Sequence, residues 1–236
     1  MTTKTDEHGI DLDIKDAMEG YERFRLRFER DRSFYARLAH SGQKPKLLWI
    51  GCCDSRVVPS QITSANPGEL FEIRNIANCV PPAGAEDSVG AAIEYALQQL
   101  GVDDIVVCGH TGCGGIAALL DSEPPETSAH LGRWIDYTRP AHDLVRAAGI
   151  EPHNRLLATI ASHIQFQLDN LMSYEAVRRG VVEGRVAVHG WLYDMETGEV
   201  VIYDRVRGEW RELLAREAPE PVAYRNGHGI AAGEGR

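Results

Sequence analysis

Two short apolar runs each break off into a turn rich in thiols, and this repeated arrangement limits the fold more than any other feature of the chain. Lys46–Gly51 (KLLWIG) leads into Cys52-Cys53-Asp54-Ser55-Arg56, and Ile105–Cys108 (IVVC) leads into GHTGCGG, from Gly109 to Gly115. An uninterrupted apolar run of this length, bounded by turn residues, reads as a strand buried on both faces of a parallel sheet. Leu70–Ile73 reads the same way. Open sheets of this kind bind ligands beyond the carboxyl ends of their strands. Neighbouring strands lie about 4.8 Å apart, so side chains from two such turns can converge on one ion.

The segments between these runs carry helical periodicity. Met18, Tyr21, Phe24, Phe28, Phe34 and Leu38 recur among charges within Ile14–Leu38, which predicts one or two amphipathic helices in need of a surface. Asp87 or Ser88 is placed to cap a helix running to about Leu100, with Gly101 ending it in a left-handed conformation. Helical patterning resumes over Arg133–Ala148 and Arg155–Arg179, after a loop at Asp121–Thr127 (DSEPPET). Arg185–Arg205 reads as strand, turn around Glu196–Gly198, strand, a hairpin at a sheet edge. The expected fold is α/β, with a central, mostly parallel β-sheet, an antiparallel edge strand, flanking helices and an N-terminal helical arm. The expected organisation is a flexible stretch 1–13, one domain 14–214 whose residues 14–40 form the arm, and a flexible Gly-rich tail 215–236.

Composition narrows the partners. Lys and Arg number 25 against 35 Asp and Glu, a net charge of -10, which disfavours nucleic acid and anionic membranes and favours a small-molecule partner. The five cysteines are odd in number and two are adjacent, so a disulfide framework is not expected and a reducing compartment fits. The N-terminus is polar and acidic, and no apolar run approaches the ~20 residues that cross a bilayer. A cytoplasmic location follows.

Cys52, His110 and Cys113 offer two thiolates and an imidazole, a donor set that suits Zn²⁺. Three protein ligands leave a fourth tetrahedral position, the mark of a catalytic site. The competing reading makes these cysteines small buried hydrophobes, and that is the reading adopted for Cys79 and Cys108. Asp54 and Arg56 either pair beside such a metal or form a surface ion pair, with Asp54 capping the next helix.

The sequence resembles the β-class carbonic anhydrases, and its plant-like and bacterial branch in particular. The likeness is carried by CCDSR (Cys52–Arg56), PGELF (Pro67–Phe71), RNIAN (Arg74–Asn78), GAAIEYA (Gly90–Ala96), CGHTGCGG (Cys108–Gly115) and HGWLYD (His189–Asp194), and covers Ile14–Val206. It implies one zinc per subunit on Cys52, His110 and Cys113, with Asp54 and Arg56 as the catalytic dyad that orients a zinc-bound hydroxide. It further implies reversible hydration of CO2 to bicarbonate and a proton. Gln43, Phe71 and Tyr95 match residues lining the substrate pocket, to which both subunits commonly contribute. A homodimer clasped by the arm is then the minimal unit, with tetramers or larger assemblies compatible. Trp49, Arg74 and Tyr193 match a bicarbonate effector site of some bacterial members, whereas SRVVPS and PPAGAEDSVGAAIEYA look like the plant-like branch, whose members usually stay open. Cys53 departs from the more usual Ser. Alternatives are a carbonyl sulfide or carbon disulfide hydrolase on the same scaffold, or a non-catalytic zinc module in assembly, for example within a carbon-fixing microcompartment. A redox role for Cys52-Cys53 ranks last, because adjacent cysteines form strained disulfides.

Overall fold

Six strands form one sheet in the order β2-β1-β3-β4-β5-β6. The computed structural model describes residues 13–120 and 129–213. The expectations for the first twelve residues, the Asp121–Thr127 loop and the C-terminal tail lie outside the described residues. In chain order the elements are α1 (Ile14–Arg30), α2 (Arg32–Ser41), β1 (Leu47–Cys52), α3 (Pro59–Ile62), β2 (Leu70–Asn75), α4 (Ser88–Glu94), β3 (Asp104–His110) and α5 (Gly114–Ala117). There follow α6 (Ala129–Ile135), α7 (Arg139–Ala147), α8 (Arg155–Leu171), α9 (Glu175–Val182), β4 (Ala187–Tyr193), β5 (Val200–Asp204) and β6 (Glu209–Glu212). Strands β2, β1, β3 and β4 are parallel, and β5 and β6 are antiparallel. Among the described residues no helix is long and apolar enough to cross a membrane.

Register sets which side chains share a face. Trp49 pairs with Val106, and Cys108 with Trp191, so Trp49, Val106, Cys108 and Trp191 lie on one face; Leu48, Ile50, Cys52, Ile105 and Val107 point to the other. The second face holds the main core, against which α8 lays Ile160, Ile164 and Leu168, all fully buried. Glycines make the approach possible. A Cβ on Gly109 would sit 2.8 Å from Ile164 Cδ1, and one on Gly190 would sit 2.9 Å from Leu168 Cδ1.

The outline of the sequence reading holds, with four local corrections. The antiparallel edge has two strands, because the charged EWRE of β6 continues the meander although its pattern alone signals no strand. The helix at Ser88 is capped by neither Asp87 nor Ser88: the Glu86 carboxylate accepts from the amides of Ser88 at 2.8 Å and Val89 at 2.7 Å. The helix expected over Arg133–Ala148 breaks at Asp136–Thr138, since Pro140 suits the first turn of a new helix and lacks the amide to continue an old one. The helix expected over Arg155–Arg179 is two helices, α8 and α9, divided at Met172–Tyr174, where Ser173 Oγ donates to the Asn170 carbonyl.

The arm is built of α1 and α2. Asp13 caps α1 through the amides of Lys15 and Asp16, and Asp16 reaches back to the Asp13 amide. Neither helix buries a single residue within this chain, and Ile14, Met18, Tyr21 and Leu26 are exposed.

Candidate metal centre

β1 and β3 are adjacent and parallel, and Gly51 is level with Cys108, so both strands end at the same edge of the sheet. Cys52 is the last residue of β1 and His110 the last of β3. Gly112, at φ +65°, turns the chain after β3 and brings Cys113 back over the strand ends at the start of α5. The nitrogen and sulfur atoms of Cys52, His110 and Cys113 then lie within 4.8 Å of one another, and all three side chains are buried.

The geometry fits a tetrahedral zinc ion. Zn–S bonds of about 2.3 Å at the tetrahedral angle place two sulfurs about 3.8 Å apart, and the Sγ atoms of Cys52 and Cys113 are 3.9 Å apart. His110 Nδ1 donates to the Thr111 carbonyl at 3.0 Å, which leaves the lone pair on Nε2. That Nε2 is buried and has no hydrogen-bond partner, which costs free energy in a core unless a ligand takes the lone pair. One of the two thiols is prepared for ionisation. Cys52 is drawn well below the ordinary thiol value, first by the hydrogen bond from Cys113 and further by the amide of Asp54, against the opposing effect of burial. Cys113, as the donor beside that thiolate, holds its proton more tightly. Cys79 and Cys108 are buried, and burial pushes both thiols upward, so they stay neutral as expected of inert core groups.

Asp54 stands at the mouth of this cluster. Arg56 grips it bidentately, Nε donating to Oδ1 at 2.9 Å and Nη2 to Oδ2 at 2.7 Å, while the Arg56 amide adds a third bond to Oδ1 at 3.0 Å. This arginine holds the carboxyl below the usual carboxylate range. Asp54 Oδ2 lies 3.9 Å from His110 Nε2, too far for a hydrogen bond. Arg74 braces the loop from beneath: its Nε donates to the Cys52 carbonyl at 3.0 Å and its Nη2 to the Asp54 carbonyl at 2.7 Å.

Comparison with known proteins follows the same lines. The carbonic anhydrase family model matches residues 47–200. The chain belongs to the β-class carbonic anhydrases. It is 39% identical over 194 residues to the carbonic anhydrase of Synechocystis sp., covering 80% of this chain and 70% of that protein. It is 35% identical to the carbonic anhydrase of Pseudomonas aeruginosa, covering 92% of this chain and all of that protein. Among solved structures, the β-carbonic anhydrase CcaA superposes with a TM-score of 0.79 at 36% identity, over 86% of this chain and 93% of that one. A pair described as tetrameric β-carbonic anhydrases from Sordaria macrospora gives a TM-score of 0.71 at 29% identity, over 79% and 94%. As a carbonic anhydrase, this chain catalyses the reversible hydration of CO2 and uses zinc, for which Cys52, His110 and Cys113 are in position.

Of the other residues expected in this carbonic anhydrase, Arg74 and Tyr193 adjoin the metal-binding strand ends, Arg74 through the Cys52 carbonyl and Tyr193 level with His110, whereas the expected substrate pocket lies apart. Phe71 pairs in register with Leu48, four residues before Cys52 and so about 13 Å back along the strand. It packs near Tyr95, ring centroids 5.9 Å apart, and Gln43 is exposed beyond α2. Trp49 and Tyr193 share the smaller apolar cluster with Val106, Cys108 and Trp191. Trp49 is fully buried with its Nε1 unpaired, and the space beside it exists because residue 51 is glycine: a Cβ there would meet Nε1 at 2.4 Å. The sequence reading passed over Ala77 and Asn78, which are left-handed at φ +60° and +46° and border the cluster. Ala carries no signal of that conformation, and Asn, which adopts it more readily than most, only a weak one.

Proposed function

We propose that Asp54 and Arg56 are the catalytic pair of this carbonic anhydrase. The observation that carries this reading is the bidentate grip of Arg56 on an ionised Asp54 at the open side of the thiol–imidazole cluster. Zinc bound by Cys52, His110 and Cys113 supplies a Lewis acid that lowers the pKa of a coordinated water towards neutrality. Asp54, ionised, is an acceptor only, so it would accept a hydrogen bond from the attacking oxygen and orient it toward CO2. Arg56 keeps the carboxylate charged, aimed and off the metal position, since both carboxylate oxygens are engaged by the guanidinium. This dyad favours CO2 hydration over a purely structural zinc module, which would need no such pair.

The substrate pocket is read as composite. Gln43, Phe71 and Tyr95 lie away from the cluster of their own chain, which supports their serving the site of a second subunit in a homodimer. The arm supports the same reading, because α1 and α2 carry apolar side chains that this chain does not cover. The free cysteines fit a cytoplasmic enzyme. Trp49, Arg74 and Tyr193 form a candidate bicarbonate site, supported by the unpaired indole Nε1; there Arg74 would have to release the carbonyls it now holds. Inhibition by added bicarbonate at slightly acidic pH, relieved in Tyr193→Phe, is the outcome this regulatory reading requires.

Stopped-flow CO2 hydration by the zinc-loaded protein at pH 7 and 8.5 tests the main assignment. Asp54→Ala is expected to lower kcat by about 10²- to 10³-fold with zinc retained. Full activity in that variant would remove Asp54 from the mechanism.

A further inference from the structure

Two residues, Thr111 and Gly112, separate the metal-binding His110 from Cys113, and the turn between β4 and β5 grips both of them. Tyr193 ends β4 level with His110, and its carbonyl accepts from the Thr111 amide at 2.9 Å. The Met195 amide donates to Thr111 Oγ1 at 3.0 Å, from 84 positions further along the chain. A Cβ on Gly112 would meet Met195 Cε at 3.5 Å, so the methionine side chain lies against the second spacer residue. Arg56 Nη2 also reaches the Gly112 carbonyl, at 3.4 Å. The gripping turn is itself firmly closed. Asp194 Oδ1 accepts from the amides of Glu196 at 2.8 Å and Thr197 at 3.3 Å, and the Asp194 carbonyl accepts from the Gly198 amide at 2.9 Å.

The Thr111 carbonyl orients the metal-binding imidazole: it accepts from His110 Nδ1 at 3.0 Å, which leaves Nε2 for the ion. Its direction depends on how residue 111 is turned about its own backbone. With the amide held by Tyr193, rotation about the N–Cα bond is still free, and that rotation swings the side chain. A β-branched residue is stiff at χ1, so a hydroxyl held in place stops the rotation as well. We propose that Thr111 is a positioning residue for His110: its hydroxyl, by accepting from the Met195 amide, locks the carbonyl that fixes the tautomer and aim of the imidazole, and so couples the β4–β5 turn to the metal centre. The strand ladder alone does not reach this far, because β3 ends at His110. Holding a ligand in its bound orientation before the metal arrives raises the affinity of the site. The inference rests on Cys52, His110 and Cys113 holding the zinc, and the zinc content of the unaltered protein checks that reading separately.

The test uses the full-length protein and two readouts besides activity: zinc affinity against a competing chelator, and the ligand-field absorption of the cobalt-substituted form, which follows the directions of the ligands. Thr111→Val keeps the branched shape and removes the acceptor, whereas Thr111→Ser keeps the acceptor. The valine variant is expected to bind zinc about tenfold more weakly and to shift the cobalt bands, and the serine variant to return both toward the parent. A folded Thr111→Val with the parent's affinity and spectrum overturns the proposal, as does a serine variant that fails as the valine variant does. If Thr111→Val does not fold, Thr111→Ala, which removes the same acceptor without putting a methyl in its place, is read in the same way, and parent values there overturn it.

Discussion

The two faces of the sheet are finished to different degrees. On one, Leu48, Ile50, Ile105 and Val107 meet α8 in a continuous core that runs to Cys52 and Cys113. On the other, the apolar cluster is small: Trp49, Val106 and Cys108 are buried, with Trp191 and Tyr193 partly covered. The difference teaches where a single chain is self-sufficient. The metal cluster draws Cys52 from the first face and His110 from the second by strand alternation, so its ligands meet only past the ends of the strands, where a turn can supply Cys113. The arm and the thin face keep the apolar surface that the chain leaves unused.

The largest expected effect falls on the finished side. Cys52→Ser should abolish zinc binding and reduce CO2 hydration to background, measured by metal analysis and stopped flow, while circular dichroism stays helical; a zinc-replete serine variant would show that the cluster does not need both thiols. Deleting residues 1–41 should come next in consequence. Sedimentation is expected to show loss of the proposed dimer and assays a loss of activity, with the zinc still bound; a truncated chain that associates as the parent does would sever the link between the unfinished surfaces and assembly.

A smaller effect concerns pH. His163 is depressed to about 4 in the fold against 6.5 in an open chain, so the unfolded state takes up a proton first as pH falls. Stability is therefore whole above about pH 6.5 and is lost as pH falls from there toward 4, by up to about 3 kcal/mol. Denaturant titrations of His163→Gln should show this dependence flattened; a parent-like slope would assign it to other groups. Smallest is Gly109→Ala, which drives a methyl into Ile164 on the tightly packed face. It should cost about 2 kcal/mol and lower the melting temperature by about 5 °C. An unchanged Tm would mean that α8 can step back from the sheet more easily than its packing suggests.

Much of this was legible from residues alone. Two apolar runs announced β1 and β3 because a strand buried on both faces cannot carry polar side chains, whereas β2, read the same way from Leu70–Ile73, is parallel but lies at the sheet edge with no buried residue and carries Glu72 and Arg74. A Cys or His at the end of each of the two buried runs announced a metal because few other partners suit two thiols and an imidazole. The pairing of Asp54 with Arg56 was also foreseeable, since residues two apart around a turn are neighbours in any fold. Other features required the folded chain. β6 is a strand because a partner edge was available, not because EWRE favours one. Glu86 caps α4 by virtue of the preceding loop's path. His163 Nε2 donates to the Ala77 carbonyl across 86 positions, and neither residue signals the other. Local chemistry is written in nearest neighbours and periodicity, so the sequence by itself determined the strands, the thiol-rich turns and the donor set. Contacts that close only after α8 docks on the sheet depend on the whole packing, so tertiary structure alone decided the left-handed corner beside Cys52, the tautomer of His163, and which surfaces one chain leaves uncovered.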